Sequence, residues 1–237
     1  MHWQVKIATL NWVFGSVINS CLLTGCRVLV GNVCLNHLLE YCIYWKHCNM
    51  RRRPSQIIAI CGGSGSGKST LARKFVGAAV LATDSFYKDI DDLKPREDGT
   101  FDFDHPDAVD LDECADACIK LADGEDIMIP VYEMRSAKRV GQQMVPAPKN
   151  SIVVIEGIYA FHSPLHEIAT LRIFIDTPID QRMARRLRRD VERGRSTLES
   201  IQYSLHVEEA YSRYVEPMRH LADLILMGEE MHGSFSL

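Results

Sequence analysis

The residues from Gly62 to Ser69, GGSGSGKS, have the types and spacing of a phosphate-binding loop. They follow the Walker A pattern, in which glycines let the backbone curl so that successive N–H groups point at phosphate oxygens. The lysine of such a loop contacts the β- and γ-phosphates, and the hydroxyl after it is placed to ligate Mg²⁺. The sequence therefore predicts a site for a nucleoside triphosphate, formed by Gly62, Gly63, Ser64, Gly65, Ser66, Gly67, Lys68, Ser69 and Thr70.

Two carboxylates follow apolar runs that are typical of buried strands. Asp84 comes after the run at 80–83, and Glu156 comes after the run at 152–155. A carboxylate facing the γ-phosphate accepts a hydroxyl proton or orients the attacking oxygen, which is the role we predict for Asp84. The residues alone also allow Asp84 to be a loop cap. The position of Glu156 is that of a Walker B carboxylate, which reaches Mg²⁺ through water.

Aromatic and acidic side chains are interleaved in the segment 101–107, FDFDHPD, which precedes a predicted helix. Carboxylates hold sugar hydroxyls, and aromatic rings pack against a flat base. A second extended segment ends in Pro130-Val131-Tyr132. Together these segments indicate a small hydroxylated acceptor for the transferred phosphoryl group.

Seven arginines lie between Arg182 and Arg195. Four of them fall at i, i+3, i+4 and i+7 and so share one face of a predicted helix: Arg182, Arg185, Arg186 and Arg189. Such a stripe beside a triphosphate suits a guanidinium clamp. A solvated basic face is the alternative. An RNA-binding stripe is disfavoured, because no aromatic residues are interleaved and the formal net charge of the chain is −4.

The elements that must position these groups alternate between strands and helices from residue 56 onward. This alternation predicts an α/β fold with a mostly parallel sheet, helices on both faces, and the site at the carboxyl ends of the strands. We expect strands at 57–60, 80–83, 152–155, 171–175 and 224–226. We expect helices at 69–75, 106–121, 179–189 and 198–220.

Residues 1–49 differ in composition from the rest of the chain. They hold five of the eight cysteines and only one carboxylate, Glu40. Three interpretations stay open: a weak membrane anchor, a structured extension, or translation from upstream of a working start at Met50. We expect the catalytic domain to be residues 50–237. The cysteine spacing matches no zinc site, and we expect a reducing, cytoplasmic location.

The order of six motifs adds a resemblance. GGSGSGKS, DSFYKD, FDHPDA, PVYE, VVIEG and RRLRRDVERGR together resemble the uridine kinase branch of the phosphoribulokinase/uridine kinase family, over about residues 55–226. The resemblance implies a P-loop kinase with a small arginine-rich lid. It implies transfer of the γ-phosphoryl group of ATP or GTP, with Mg²⁺, to the 5′-hydroxyl of a ribonucleoside, most readily uridine or cytidine.

The resemblance also implies roles for individual residues. Asp84 becomes the catalytic carboxylate, assisted by Lys68 and Arg189. Arg193 belongs to the lid on the nucleotide side. Ser69 and Glu156 bind Mg²⁺. The acceptor side is formed by Tyr87, Phe103, Asp104, Tyr132, Arg186, Arg195 and Gln202.

Several positions depart from the family pattern. Ala137 stands where the family usually has a histidine, and Glu208-Glu209 replaces a frequent Arg-Pro. Only sixteen positions separate Lys68 from Asp84, so the first helix must be short. The alternatives are a kinase for another acceptor, such as nicotinamide riboside, a sugar phosphate or pantothenate, and a catalytically weak nucleotide-binding relative. Nucleic acid and membrane partners are not expected, and the oligomeric state, a homo-oligomer included, is left open.

Overall fold

The fold is built on a central parallel sheet, and a computed structural model describes it for residues 55–95 and 101–228. The strands are β1 (Gln56–Gly62), β2 (Ala79–Ala82), β3 (Ile127–Glu133), β4 (Lys138–Val145), β5 (Ile152–Glu156), β6 (Leu171–Asp176) and β7 (Leu224–Met227). The α-helices are α1 (Lys68–Ala72), α2 (Leu111–Ala122), α3 (Leu165–Ile168), α4 (Ile179–Glu192) and α5 (Thr197–Ala210). Five strands pair in the order β2-β5-β1-β6-β7, all parallel. This confirms the predicted α/β class.

Both faces of the sheet are buried, as the continuous apolar runs indicate. Successive side chains of β1 point to opposite faces. Ile57, Ala59 and Cys61 join the larger core, which includes residues of α2 and α3. Ile58 and Ile60 join a second cluster that contains residues of α1.

The register of the strands brings the site residues to one edge. Glu156 at the end of β5 pairs with Ile60 of β1 and with Ala82 of β2. Asp84 follows β2 at the start of a 3₁₀ turn over Thr83–Phe86. Because parallel strands have their carboxyl ends at the same edge, the phosphate-binding loop after β1 lies beside both carboxylates.

Two predicted helices differ in the structure. The first helix is the five-residue α1, as the short spacing between Lys68 and Asp84 requires. The predicted helix at 106–121 is instead a 3₁₀ turn over Pro106–Ala108 followed by α2. The break occurs because Val109 is extended and bridges to Tyr87, and Asp110 then caps α2 by accepting a hydrogen bond from the Glu113 N–H.

The carboxyl-terminal part of the chain departs further from the prediction. Helix α4 runs beyond the predicted end, to Glu192. Helix α5 begins at a capping box formed by Ser196 and Glu199. It ends at Ala210, and a π-helical turn and a 3₁₀ helix follow up to Leu221. The predicted helix at 198–220 was therefore too long. Pro217 lies in the first turn of the 3₁₀ helix, where its missing N–H needs no helical partner.

One strand was not predicted. Strand β4 pairs antiparallel with β3 and forms a separate two-stranded sheet. Its side chains are mostly exposed, so it lacks the apolar pattern that marks a strand in the sequence. In the described part of the chain, no helix has both the length and the apolar character needed to cross a bilayer. The expectations for residues 1–49 lie outside the described residues.

Gly157 allows a close approach that the site needs. A Cβ atom at this position would lie 1.7 Å from Thr83 Oγ1 and 2.7 Å from Thr83 Cβ. Only glycine lets the chain after β5 pass this close to the turn that carries Asp84. The Gly157 N–H donates to the Ile60 carbonyl at 3.1 Å, which fixes the chain there.

We predict that Gly157→Ala lowers the free energy of unfolding by about 1–3 kcal/mol, because the added methyl overlaps the buried side chain of Thr83. Urea unfolding followed by circular dichroism measures this. Gly141→Ala is the matched control, since no atom lies within 4 Å of a Cβ placed at Gly141. Adding Thr83→Ala to Gly157→Ala should restore part of the loss. Equal stability of the two single variants would contradict the prediction.

Candidate active site

The phosphate-binding loop has the curled conformation that the Walker A pattern predicts. Gly65 and Gly67 have φ angles of 81° and 106°, a region that side-chain-bearing residues avoid. The Lys68 ammonium donates to the Gly63 carbonyl at 2.9 Å, across the curl of the loop. The Ser66 N–H also donates to Gly63 O, at 3.1 Å. These bonds close the loop into a cradle.

Lys68 is buried within this cradle. Burial lowers the pKa of its ammonium group, and the negative charges of Glu156 and Asp84 partly offset that effect. Two carboxylates from different strand ends therefore act on one lysine. A buried ammonium that still lacks full compensation attracts an anion strongly, and the phosphate chain of a nucleotide is such an anion.

Ser69 and Glu156 present oxygen atoms that suit Mg²⁺. The Ser69 hydroxyl donates to Glu156 Oε1 at 2.7 Å, and Ser69 is exposed to solvent. Burial raises the pKa of the Glu156 carboxyl, while Lys68 and the hydrogen bond from Ser69 oppose the rise. Hydroxyl and carboxylate oxygens are hard ligands, and Mg²⁺ commonly takes only one or two of them from the protein. The described residues contain no group of three or more His, Cys, Asp or Glu side chains that could hold a metal ion.

Asp84 is exposed at the mouth of the same cleft. Besides acting on Lys68 and Glu156, its charge adds to the effect of burial in raising the pKa of the Tyr87 hydroxyl. Its carboxylate thus lies within electrostatic reach of both the phosphate cradle and an acceptor-side tyrosine.

The predicted acceptor-side aromatics lie together. The rings of Tyr87 and Tyr132 are stacked with centroids 5.3 Å apart. Phe103 packs against the larger core, next to Phe101. The Tyr132 hydroxyl is buried without a hydrogen-bond partner among the described residues. A polar atom in this state is available to a ligand.

The Asp104 side chain interacts with residues of helices α4 and α5. Burial raises the pKa of its carboxyl, and Arg186 and a hydrogen bond from Tyr203 oppose the rise. The Tyr159 hydroxyl fixes the main chain here by donating to the Asp104 carbonyl at 2.6 Å. Tyr203 was not predicted from the sequence, although it directly follows Gln202, which lies exposed on α5.

The arginines divide into groups that their helical spacing did not reveal. Arg185 donates to the Gly65 carbonyl at 3.3 Å, and Arg189 donates to Ser64 Oγ at 3.4 Å. Both therefore contact the phosphate-binding loop. Arg186 and Arg195 lie 4.9 Å and 4.8 Å from the centre of the Tyr203 ring.

Arg182 does not belong to the predicted clamp. It is buried against α5, where it forms an ion pair with Glu208. Arg182 lies against the phosphate-binding loop, as Arg185 and Arg189 do, but its guanidinium is paired with Glu208. The spacing on one helix does not indicate which neighbour covers a side chain. Arg193 lies exposed just after the end of α4.

Arg139 is a second residue that sequence reasoning missed. Its side chain donates to the Tyr87 carbonyl at 2.9 Å and to the Phe86 carbonyl at 3.4 Å, and it forms an ion pair with Glu113 of α2 at 2.8 Å. Its N–H also donates to Asp89 Oδ1 at 2.5 Å. Arg139 thus ties the β3–β4 hairpin to the segment that follows Asp84. No motif carries this signal.

Comparison with known proteins agrees with this geometry. The family model for the phosphoribulokinase/uridine kinase family matches residues 57–230. A protein of Chloroflexus aurantiacus named uridine kinase is 39% identical over 184 residues, which is 73% of this chain and 86% of that protein.

The chain belongs to the phosphoribulokinase/uridine kinase family.

Other members are much longer than the matched region. Uridine-cytidine kinase A of Dictyostelium discoideum is 36% identical over 180 residues, or 72% of this chain but 35% of that protein. Uridine-cytidine kinase-like 1 of Mus musculus is 36% identical, and 33% of its length is covered. The chain therefore spans about a third of these two relatives.

A solved structure supports the fold assignment. A Silicibacter sp. TM1040 protein named as a fructose transport system kinase superposes with a TM-score of 0.54 over 80% of this chain and 98% of its own. The identity is 21%, so the similarity concerns the fold alone.

Proposed function

We propose that this protein transfers the γ-phosphoryl group of ATP to the 5′-hydroxyl of a ribonucleoside, with uridine and cytidine as acceptors. One observation carries the proposal: the charge of the exposed Asp84 carboxylate acts on both the buried ammonium of Lys68 and the hydroxyl of Tyr87, whose ring stacks on Tyr132. The names of the relatives, uridine kinase and uridine-cytidine kinase, support the same acceptor class. GTP is the other donor that the loop accommodates.

On the donor side, the loop N–H groups and the Lys68 ammonium bind the phosphate chain. Mg²⁺, held by the oxygens of Ser69 and Glu156, would neutralise phosphate charge. Arg189, hydrogen-bonded to Ser64, lies where it stabilises charge on the transferred group. We place Arg193 in the lid that covers this side.

In the chemical step, Asp84 accepts the proton of the acceptor hydroxyl as that oxygen bonds to the γ-phosphorus. The bond between the γ-phosphorus and the oxygen that bridges to the β-phosphate breaks, and the nucleoside diphosphate leaves with that electron pair. Positioning and charge stabilisation supply most of the acceleration in such transfers. Removing the Asp84 carboxylate affects the proton transfer, which the phosphate-binding loop cannot perform.

On the acceptor side, Asp104 binds the ribose hydroxyls and Tyr132 binds the base. Phe103 and Tyr87 pack beside the acceptor, while Arg186, Arg195 and Gln202 line it from the lid. Ala137 lies in the turn between β3 and β4 with a φ angle of 52°. Its methyl offers no hydrogen bond to a base, so discrimination between bases should be weak.

The cellular role that follows is pyrimidine salvage in the cytoplasm. The described cysteines, Cys61, Cys114 and Cys118, are buried free thiols, as a reducing compartment favours. We further propose that residues 50–237 form the kinase domain, because the family match and every motif lie within them.

Asp84→Asn should lower kcat by about 10²-fold or more, because an amide cannot accept the proton. MgATP should still bind, since Asp84 lies outside the loop. Steady-state kinetics and calorimetry measure these quantities. The control is Asp92→Asn, another exposed aspartate on the same segment. A variant that keeps its kcat would show that Asp84 is only a loop residue.

A panel of nucleosides tests the acceptor. Ribonucleosides should be phosphorylated at least tenfold more efficiently than 2′-deoxynucleosides, because the half-buried Asp104 carboxylate loses a charge-assisted bond. Uridine and cytidine should differ little in kcat/KM. Ala137→His should sharpen the preference for pyrimidines, and histidine is among the residues that tolerate a positive φ. If deoxynucleosides work equally well, or no nucleoside works, the acceptor belongs to another class.

A chain that begins at Met50 should show the same kcat/KM as the full chain. The physical reason is that all the residues assigned to the site lie beyond this point. Parallel kinetics and thermal unfolding of the two proteins provide the comparison. Loss of solubility or activity in the shorter chain would mean that residues 1–49 contribute to the domain.

A further inference from the structure

A buried ion pair outside both substrate subsites joins α4 to α5. Arg182 Nη1 and Nη2 donate to the two carboxylate oxygens of Glu208 at 2.8 and 2.7 Å. The two side chains are only 4% and 16% exposed. Arg182 Nε donates to the Thr177 carbonyl at 3.0 Å, and the Tyr211 ring centre lies 4.1 Å from the guanidinium. Hydrogen bonds from its nitrogen atoms therefore hold the guanidinium in its plane, and the Tyr211 ring packs against its face.

Arg182 also lies directly against the outer side of the phosphate-binding loop. A Cβ atom at Gly63 would be 2.5 Å from Arg182 Nη1, and one at Gly65 would be 2.6 Å from the Arg182 carbonyl oxygen. Next to these contacts, Thr177 Oγ1 donates to the Ser66 carbonyl at 3.0 Å. Arg182 and Thr177 thus form a wall that contacts the loop at three of its residues.

This wall addresses a physical problem of the loop. The loop GGSGSGKS contains four glycines in eight residues, and glycine loses more backbone entropy than any other residue on becoming fixed. The N–H groups must nevertheless point inward before a triphosphate arrives. A rigid surface packed on the outside restricts the loop without occupying the inside.

Glu208 has a specific part in that wall. A neutral or basic side chain here would leave the Arg182 guanidinium without this counter-charge. Glu208 instead neutralises a buried guanidinium beside the loop and holds it in place from α5. Removing one partner of a buried pair leaves an uncompensated charge, which drives the other partner out of position.

We propose that Arg182 and Glu208 are positioning residues that hold the phosphate-binding loop in its nucleotide-binding conformation and couple it to α5. The inference rests on the proposed function, and it concerns the donor rather than the acceptor. Neither residue contacts the reacting atoms. Their effect should therefore appear in the affinity for the triphosphate.

The test measures the Kd for MgATP by calorimetry in Glu208→Gln, Arg182→Lys and the control Glu209→Gln. Glu209 is the exposed neighbour of Glu208 on the same helix. We expect at least tenfold weaker binding for Glu208→Gln and Arg182→Lys, and a change of less than twofold for Glu209→Gln. The KM for the nucleoside should change less than the KM for MgATP.

A purely structural role predicts a different result. If Glu208→Gln lowers the Tm but keeps the Kd for MgATP within twofold, the proposal is overturned. If Glu208→Gln does not fold, the same criterion applies to Arg182→Lys and to Glu208→Asp, which keeps the charge. If the wild-type protein binds MgATP but phosphorylates no nucleoside, the proposed acceptor class is wrong. The test of Arg182 and Glu208 is unaffected by that result. Failure of the wild type to bind MgATP would overturn both.

Discussion

The desolvated ammonium of Lys68 is the constraint on which the site depends. Burial disfavours its charged form, and the protein compensates with the Gly63 carbonyl and with the charges of Glu156 and Asp84. These groups come from the ends of three different strands. Only the parallel pairing of β1, β5 and β2 places them around one lysine. The sheet therefore does more than support the loop, because its register determines the electrostatics of the phosphate site.

The same register explains why glycine is needed outside the loop. Glu156 must lie level with Ala82, so the chain that leaves β5 passes within contact distance of Thr83. Any Cβ at Gly157 would overlap the side chain of Thr83, the residue next to Asp84. Glycine at this position is therefore a packing requirement of the segment that carries Asp84.

The sequence alone predicted the features that depend on a local pattern of residues. Glycine spacing predicted the loop, and apolar runs followed by single carboxylates predicted Asp84 and Glu156 at one sheet edge. Features that depend on tertiary contacts could not be predicted from the sequence. Helical spacing placed Arg182 and Arg189 on one face of the helix. It did not indicate that Glu208 forms an ion pair with Arg182. Strand β4 carries no apolar pattern, and so the role of Arg139 in fixing the segment after Asp84 was not predicted either.

Arginines of α4 and of the segment after it surround a buried carboxylate. Three guanidinium groups lie within 4 Å of Asp190: Arg186 at 3.5 Å, Arg189 at 3.6 Å and Arg195 at 3.8 Å. Other carboxylates also act on these arginines, since Asp104 interacts with Arg186, Asp84 with Arg189 and Glu199 with Arg195. Arg189 also reaches the phosphate-binding loop at Ser64. The proposed function gives this cluster a role, because the transferred phosphoryl group would bring its charge to guanidinium groups that the folded protein already holds in place.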